Sequence, residues 1–218
     1  MKNLAQKFLT ADEFEQINSA VEAAEKLTAG EIVCMVQSSS YRYPMSEVIG
    51  AAALALPTAL ALTPLVGGWF WLGTQNMWIF LSILLPSIAV FHWVVKHCPW
   101  LKRIFISSRE IAEEVEEAAV TGFFRHGLYR TKDGTGILIF ISVFERKVWV
   151  LADAGIDAKV SGDHWRSVVE GITEGIRNNQ AAAAICLAVD TVGRTLAEHF
   201  PVAPDDINEL ENVIVTDS

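Results

Sequence analysis

Three aspartates flank what the sequence predicts to be a single β-hairpin. Asp133-Gly134-Thr135-Gly136 precedes the apolar run Ile137–Ser142, and Asp153-Ala154-Gly155-Ile156-Asp157 follows the run Lys147–Ala152. In an antiparallel pair, the entry to one strand and the exit from the next lie at the same end of the sheet. Asp133, Asp153 and Asp157 can therefore converge with loop carbonyls on a hard cation, Ca²⁺ or Mg²⁺, which takes oxygen ligands. The same residues also suit local roles, with Asp133-Gly134 as a turn and Asp157 as the cap of the next helix. Both readings stand open at this stage.

Other constellations are absent or out of context. The chain has no GxxxxGK[ST] loop, G-x-S-x-G elbow or HExxH helix. Asp133-Gly134-Thr135-Gly136 is superficially similar to the phosphorylated-aspartate loop of haloacid-dehalogenase phosphatases and P-type pumps. There the aspartate follows an apolar strand, whereas here it precedes one. His126, His164 and His199 lie far apart with no ligand spacing and read as helix ends. Cys34, Cys98 and Cys186 show no paired spacing, and Cys34 and Cys186 sit in apolar runs as small core residues. A formal net charge of −9 makes nucleic acid an unsuitable partner.

The elements that must position the aspartates can be read in chain order. Thr10-Ala11-Asp12-Glu13 fits a capping box, and Phe14, Ile17, Val21, Ala24 and Leu27 follow at helical spacing, with Gly30 expected just past the helix end. Glu31–Gln37 is a short β-branched run and predicts a strand. A polar loop from Ser38 to Pro44 follows. A second helix is expected from Ser107 or Ser108 to about His126, its first turns rich in glutamate, which favours the helix dipole. Ile137–Ser142, apolar on both faces, predicts a central buried strand, and Lys147–Ala152 returns antiparallel to it. Two further helices are expected, from about His164 to Asn178 and from Ala181 to about His199. The acidic tail 201–218 is expected to fray. Three strands and four helices argue for a compact α/β sandwich with a mixed sheet flanked by helices.

Between the first strand and the second helix lies Val48 to Val95, two arms free of Asp, Glu, Lys and Arg. At ~1.5 Å rise per residue the arms, about 48–72 and 77–95, reach ~35 Å and ~28 Å, against a hydrocarbon core of ~30 Å. The pair predicts a transmembrane helical hairpin interrupting the domain, with the lipid bilayer as its first partner. Trp69, Trp71 and Trp78 cluster near the short connection and Trp93 and Trp100 at the other end, as in two aromatic belts. The connection carries no basic residue, while Arg42, Lys96, Lys102, Arg103 and Arg109 lie on the opposite side. The positive-inside rule then places the soluble domain and both termini in the cytoplasm, as in a bacterial inner-membrane protein. His92 is expected to face the headgroups.

Several stretches together resemble the TPM domain family. Leu27-Thr28-Ala29-Gly30-Glu31-Ile32-Val33 closes a helix and opens a strand as in that family. Thr131 to Ile139, then Glu145-Arg146-Lys147-Val148 and Ala152 to Ile156, follow in the family's order, and the resemblance covers residues 10–200. The family includes thylakoid-lumen phosphatase-like proteins, photosystem-repair factors and receptor modulators. The resemblance implies a compact α/β sandwich, in some members Ca²⁺ at acidic loops, and in some an acid phosphatase activity. Asp133 matches the family's acidic residue before the central strand. Two features depart from the family pattern: the hairpin is inserted inside the domain, and the usual Gly-Tyr-Gly-Leu-Glu reads Asp153-Ala154-Gly155-Ile156-Asp157. The expected function is that of an accessory module working with a membrane-protein partner in assembly, repair or turnover. The alternative is a metal-dependent phosphatase acting on phosphomonoesters.

Overall fold

The computed structural model describes residues 4–71, 73, 76–131, 134–202, 210 and 212–216. The chain divides into two compact units, residues 1–41 with 112–218, and residues 42–111.

The first unit is built on a four-stranded mixed sheet. Its strands are β1 (Glu31–Gln37), β2 (Gly136–Ser142), β3 (Lys147–Ala152) and β4 (Val213–Thr216), in the order β3-β2-β1-β4. β1 runs parallel to β2 and β4, whereas β2 and β3 form the antiparallel hairpin expected from the sequence. Every residue of β1 and β2 is buried, as central strands apolar on both faces require. On one face Ile32, Cys34, Val36, Ile137, Ile139 and Ile141 pack against three helices. These are α2 (Ala11–Glu25), α8 (Gly162–Arg177) and α9 (Ala181–His199). They contribute Ile17 and Val21, Trp165 and Ile172, and Ile185 and Val189 respectively. The helix α6 (Ser108–Arg125) covers the other face: a Cβ on its Gly122 would meet Met35 Sδ at 2.9 Å and Leu138 Cδ2 at 3.7 Å.

The N-terminal helix signal is realised in full. Thr10 Oγ1 accepts from the Glu13 N–H at 3.3 Å, and the Thr10 N–H donates to Glu13 Oε2 at 2.8 Å. Two expectations are corrected. Gly30 does not follow the helix end, because α2 stops at Glu25 with Lys26 as its cap. Gly30 is instead a close-packing position, where a Cβ would lie 2.8 Å from Leu196 Cδ1. The tail does not fray throughout, since Val213-Ile214-Val215-Thr216 adds β4 to the free side of β1. Its flanking acids masked a β-branched run long enough to pair. Two short helices, α1 (Leu4–Phe8) and α7 (Ala154–Asp157), also join this unit.

The second unit holds α3 (Pro44–Trp69), α4 (Met77–His97) and α5 (Pro99–Ile104). Both α3 and α4 are long and apolar enough to cross a membrane. Ala51, Ala55, Ala59, Thr63 and Gly67 recur every four residues and form the buried seam of α3, as small residues do where apolar helices approach closely. The hydroxyls of Thr58, Thr63, Ser82 and Ser87 donate to carbonyls four residues back, so each polar group is satisfied within its own helix. Asn76 caps α4 by accepting from the Trp78 N–H at 2.9 Å. Lys102, only 2% exposed, pairs with Glu47 at 2.6 Å and also donates to the Arg42 carbonyl.

Candidate functional site

The acidic end of the hairpin is organised by Asp153. Its N–H donates to the Gly136 carbonyl at 2.9 Å, fixing it on the β2–β3 ladder. Its Oδ1 accepts from the Ala154 N–H at 2.7 Å, and its carbonyl accepts from Ile156 and Asp157, so the residue starts α7. A polar carboxylate at this position compensates the unpaired N–H groups of a helix start. Asp157 follows four residues later and is exposed. Asp157 ends α7, which Asp153 caps, and the next helix starts after Ser161 rather than after Asp157.

The loop before β2 meets this cap. Gly134 has φ 63, a left-handed conformation that favours glycine, and a Cβ there would lie 3.6 Å from Asp153 Oδ2. Thr131 and Thr135 hold the loop: the Thr135 N–H donates to Thr131 Oγ1 at 3.0 Å, and Thr135 Oγ1 donates to the Ala29 carbonyl at 3.2 Å. The entry to β2 and the exit from β3 thus lie side by side, as the hairpin geometry demands. Asp133 itself lies outside the described residues. Among the described residues, no group of three or more His, Cys, Asp or Glu side chains is placed to hold a metal ion. Within that set, Asp153 Oδ2 has no hydrogen-bond donor and faces the loop that carries Gly134.

The opposite end of the hairpin carries a polar cluster centred on Glu145. Glu145 is fully buried. Its carboxylate accepts from the Ser40 N–H at 3.0 Å and from Ser142 Oγ, with Ser39 Oγ at 3.2 Å. Ser40 Oγ donates to Ser142 Oγ at 3.0 Å, closing the network. The parallel register that sets Gln37 beside Ser142 delivers the Ser38–Ser40 loop to this carboxylate. A buried charge held this way is a structural clamp: the donors replace water, and each charge-assisted bond is stronger than a neutral one. The signal available in the sequence was the serine triplet just after a central strand.

The three cysteines stay free. Burial pushes the Cys34 thiol up to about 12, with smaller contributions from Cys186 and Glu25. Cys186 is also raised by burial. Neither is an activated nucleophile, since a reactive cysteine needs a lowered value.

Part of the chain is similar to one known family. Residues 103–195 match the model of the TPM domain. Among solved structures, the chain is similar to the BA42 protein of the psychrophilic bacterium Bizionia argentinensis, determined by NMR. That similarity has a TM-score of 0.58 at 22% identity, covering 96% of this chain and 95% of the other. At that identity the likeness speaks to the fold alone. No curated protein matches the chain.

Proposed function

We propose that this chain, whose residues 103–195 carry the TPM domain, is a bilayer-anchored accessory module that engages membrane proteins during their assembly, repair or turnover. The observation that supports it is the exposure of the two apolar helices. Only 28% of the apolar window of α3 and 6% of that of α4 is buried. A core helix of a water-soluble domain hides its apolar face, whereas α4 presents Leu85, Val90 and Trp93 outward. Hydrocarbon is the solvent that such a surface fits. Trp69, Trp71 and Trp78 at one end and Trp93 and Trp100 at the other are all exposed, consistent with indoles at both headgroup levels. The basic residues flanking the hairpin favour a cytoplasmic domain. The test is alkaline extraction of membranes followed by affinity purification in detergent. The protein should stay in the pellet and retain a membrane-protein partner. Release into the alkaline supernatant would refute the anchor, and recovery without any such partner would refute the module.

A second reading, a divalent-metal-dependent phosphomonoesterase, draws on the contact between the Gly134 loop and Asp153 Oδ2. In that reading Asp133, Asp153 and Asp157 hold Ca²⁺ or Mg²⁺, and the cation polarises a phosphoryl oxygen. Calorimetric titration of both metals into the wild type and the Asp133→Asn and Asp153→Asn variants decides it. Binding and phosphatase activity unchanged in both variants would sink the reading.

A further inference from the structure

β3 is an edge of the sheet, paired with β2 alone, and is partly exposed apart from the buried Val148. The Asp153 N–H donates to the Gly136 carbonyl, so Asp153 and Gly136 form a hydrogen-bonded pair. Such pairs alternate along an antiparallel ladder, so Leu151 and Trp149 also bond β2. Val148, Val150 and Ala152 must then turn their N–H and C=O groups away from β2. Among the described residues no hydrogen bond engages the outward groups of Val148 or Val150. An edge of this kind is a template for one more strand.

The edge lies at the bottom of a groove of about 590 Å³. Trp149 shares the sheet face of its partner Phe140, and Ala112 and Val115 of α6 form the wall on that side. On the other side α8 supplies Trp165, Arg166, Val169, Thr173 and Arg177. The positions 166, 169, 173 and 177 follow helical spacing, so they form one row along α8. That row is ~16 Å long at 1.5 Å per residue, the length of about five extended residues. Trp165 is buried, and its indole N–H has no acceptor among the described residues.

Charge selects the occupant. Arg146, Lys147, Arg166 and Arg177 line the groove, with no carboxylate in the lining, in a chain of net charge −9. Arg166 meets Asp163 at 2.7 Å, but both are exposed, and a pair of this kind contributes little. Among the described residues, the side chains of Arg146, Lys147 and Arg177 make no ion pair. Charges on β3 alone would serve to discourage edge pairing. Arg166 and Arg177 come from a different element and face the same groove, which edge protection does not require.

We infer that this groove binds an extended segment of a partner protein, about five residues long, as a fifth strand on β3. The segment has apolar side chains at alternate positions and carboxylates at its flanks. The inference rests on the accessory-module reading and names its partner by chemistry: main-chain bonds to Val148 and Val150 supply affinity, and the arginines supply selection for acid. The experiment measures fluorescence anisotropy of the labelled peptide EVTVTVE with the full-length protein in nanodiscs of neutral lipid. KVTVTVK serves as the control. Val150→Pro removes the outward N–H and is tolerated on an edge strand, and R166E/R177E reverses exposed charges, so both variants should fold. Saturable binding of EVTVTVE, weakened tenfold or more by either variant and absent for KVTVTVK, is the expected result. No binding, equal binding of both peptides, or affinity unchanged in Val150→Pro would overturn it. A dimer that Val150→Pro dissolves would overturn it in favour of a second copy at the edge. Failure here with membrane anchoring and partner retention intact would leave the accessory reading standing and remove only the groove.

Discussion

Ser142 Oγ donates to the Glu145 carboxylate across the turn joining β2 to β3, inside a site where Glu145 is fully buried. Ser142 ends the central strand and Ser40 lies in the loop that leaves β1, so one carboxylate ties the two strand ends together. Glu145→Ala removes the acceptor and leaves the Ser40 N–H and two hydroxyls facing a cavity. A loss of roughly 2–4 kcal/mol in unfolding free energy is expected. Glu145→Gln keeps one acceptor oxygen, enough for the Ser40 N–H, and should lose less. Urea unfolding of the two variants checks the order, and a Glu145→Ala protein as stable as wild type would refute the clamp.

The buried ion pair of the apolar unit makes a second prediction. Lys102 Nζ sits 2.6 Å from Glu47 Oε1, with His92 Nε2 3.9 Å from Glu47 Oε2. Lys102→Met removes the ammonium partner of the half-buried Glu47 carboxylate, and a cost of about 3 kcal/mol is expected. Lys102→Met with Glu47→Gln removes both charges and should recover most of that loss. Thermal unfolding in detergent of both single variants and the double variant measures the coupling, and additive effects would count against the pair.

The helix cap predicts an acid-side dependence. Hydrogen bonds from the Thr10 backbone and then the Thr10 side chain hold Glu13 below its ordinary value of 4.5. A carboxylate depressed in the folded state adds stability above its unfolded value, and that stability is lost as pH falls through the folded value. Thr10→Ala should cost about 1 kcal/mol at neutral pH. Glu13→Gln should flatten the fall in stability below about pH 4.5, the unfolded value. Denaturant midpoints at pH 3, 4, 5 and 7 test both, and an unchanged acid limb in Glu13→Gln would contradict the cap.

Local signals carried most of the fold. β1, β3 and α9 were legible to the residue because each is bounded by a turn or a polar break, and the capping box fixed the start of α2. What failed depended on distant partners. Val213–Thr216 is too short to announce itself, and it becomes a strand only because β1 offers an unpaired side. Gly30 looks locally like a helix stop, yet its smallness answers Leu196 far along the chain. The candidate site divided in the same way. The meeting of the Gly134 loop with Asp153 follows from hairpin geometry alone, whereas Glu145 shows its role only once the parallel register brings Ser39 and Ser40 to it.

Cys34 gives the last prediction. It lies 1% exposed beneath α9, and burial, then Cys186 and Glu25, pushes its thiol up to about 12. The thiolate is the reactive form, so Cys34 should resist iodoacetamide at pH 8 in the folded protein and react on unfolding. The same shift links folding to alkaline pH. The unfolded chain releases this proton near the ordinary value of 9.0 while the folded chain keeps it. The folded state then binds more protons, and its stability falls by about 1.4 kcal/mol per pH unit from 9 upward until the folded value is passed. Cys34→Ala leaves a small cavity but removes the titration. Its alkaline limb should therefore be shallower than that of the wild type, although its stability at pH 7 is lower. Parallel limbs for the two proteins between pH 9 and 11 would show that Cys34 does not carry the linkage.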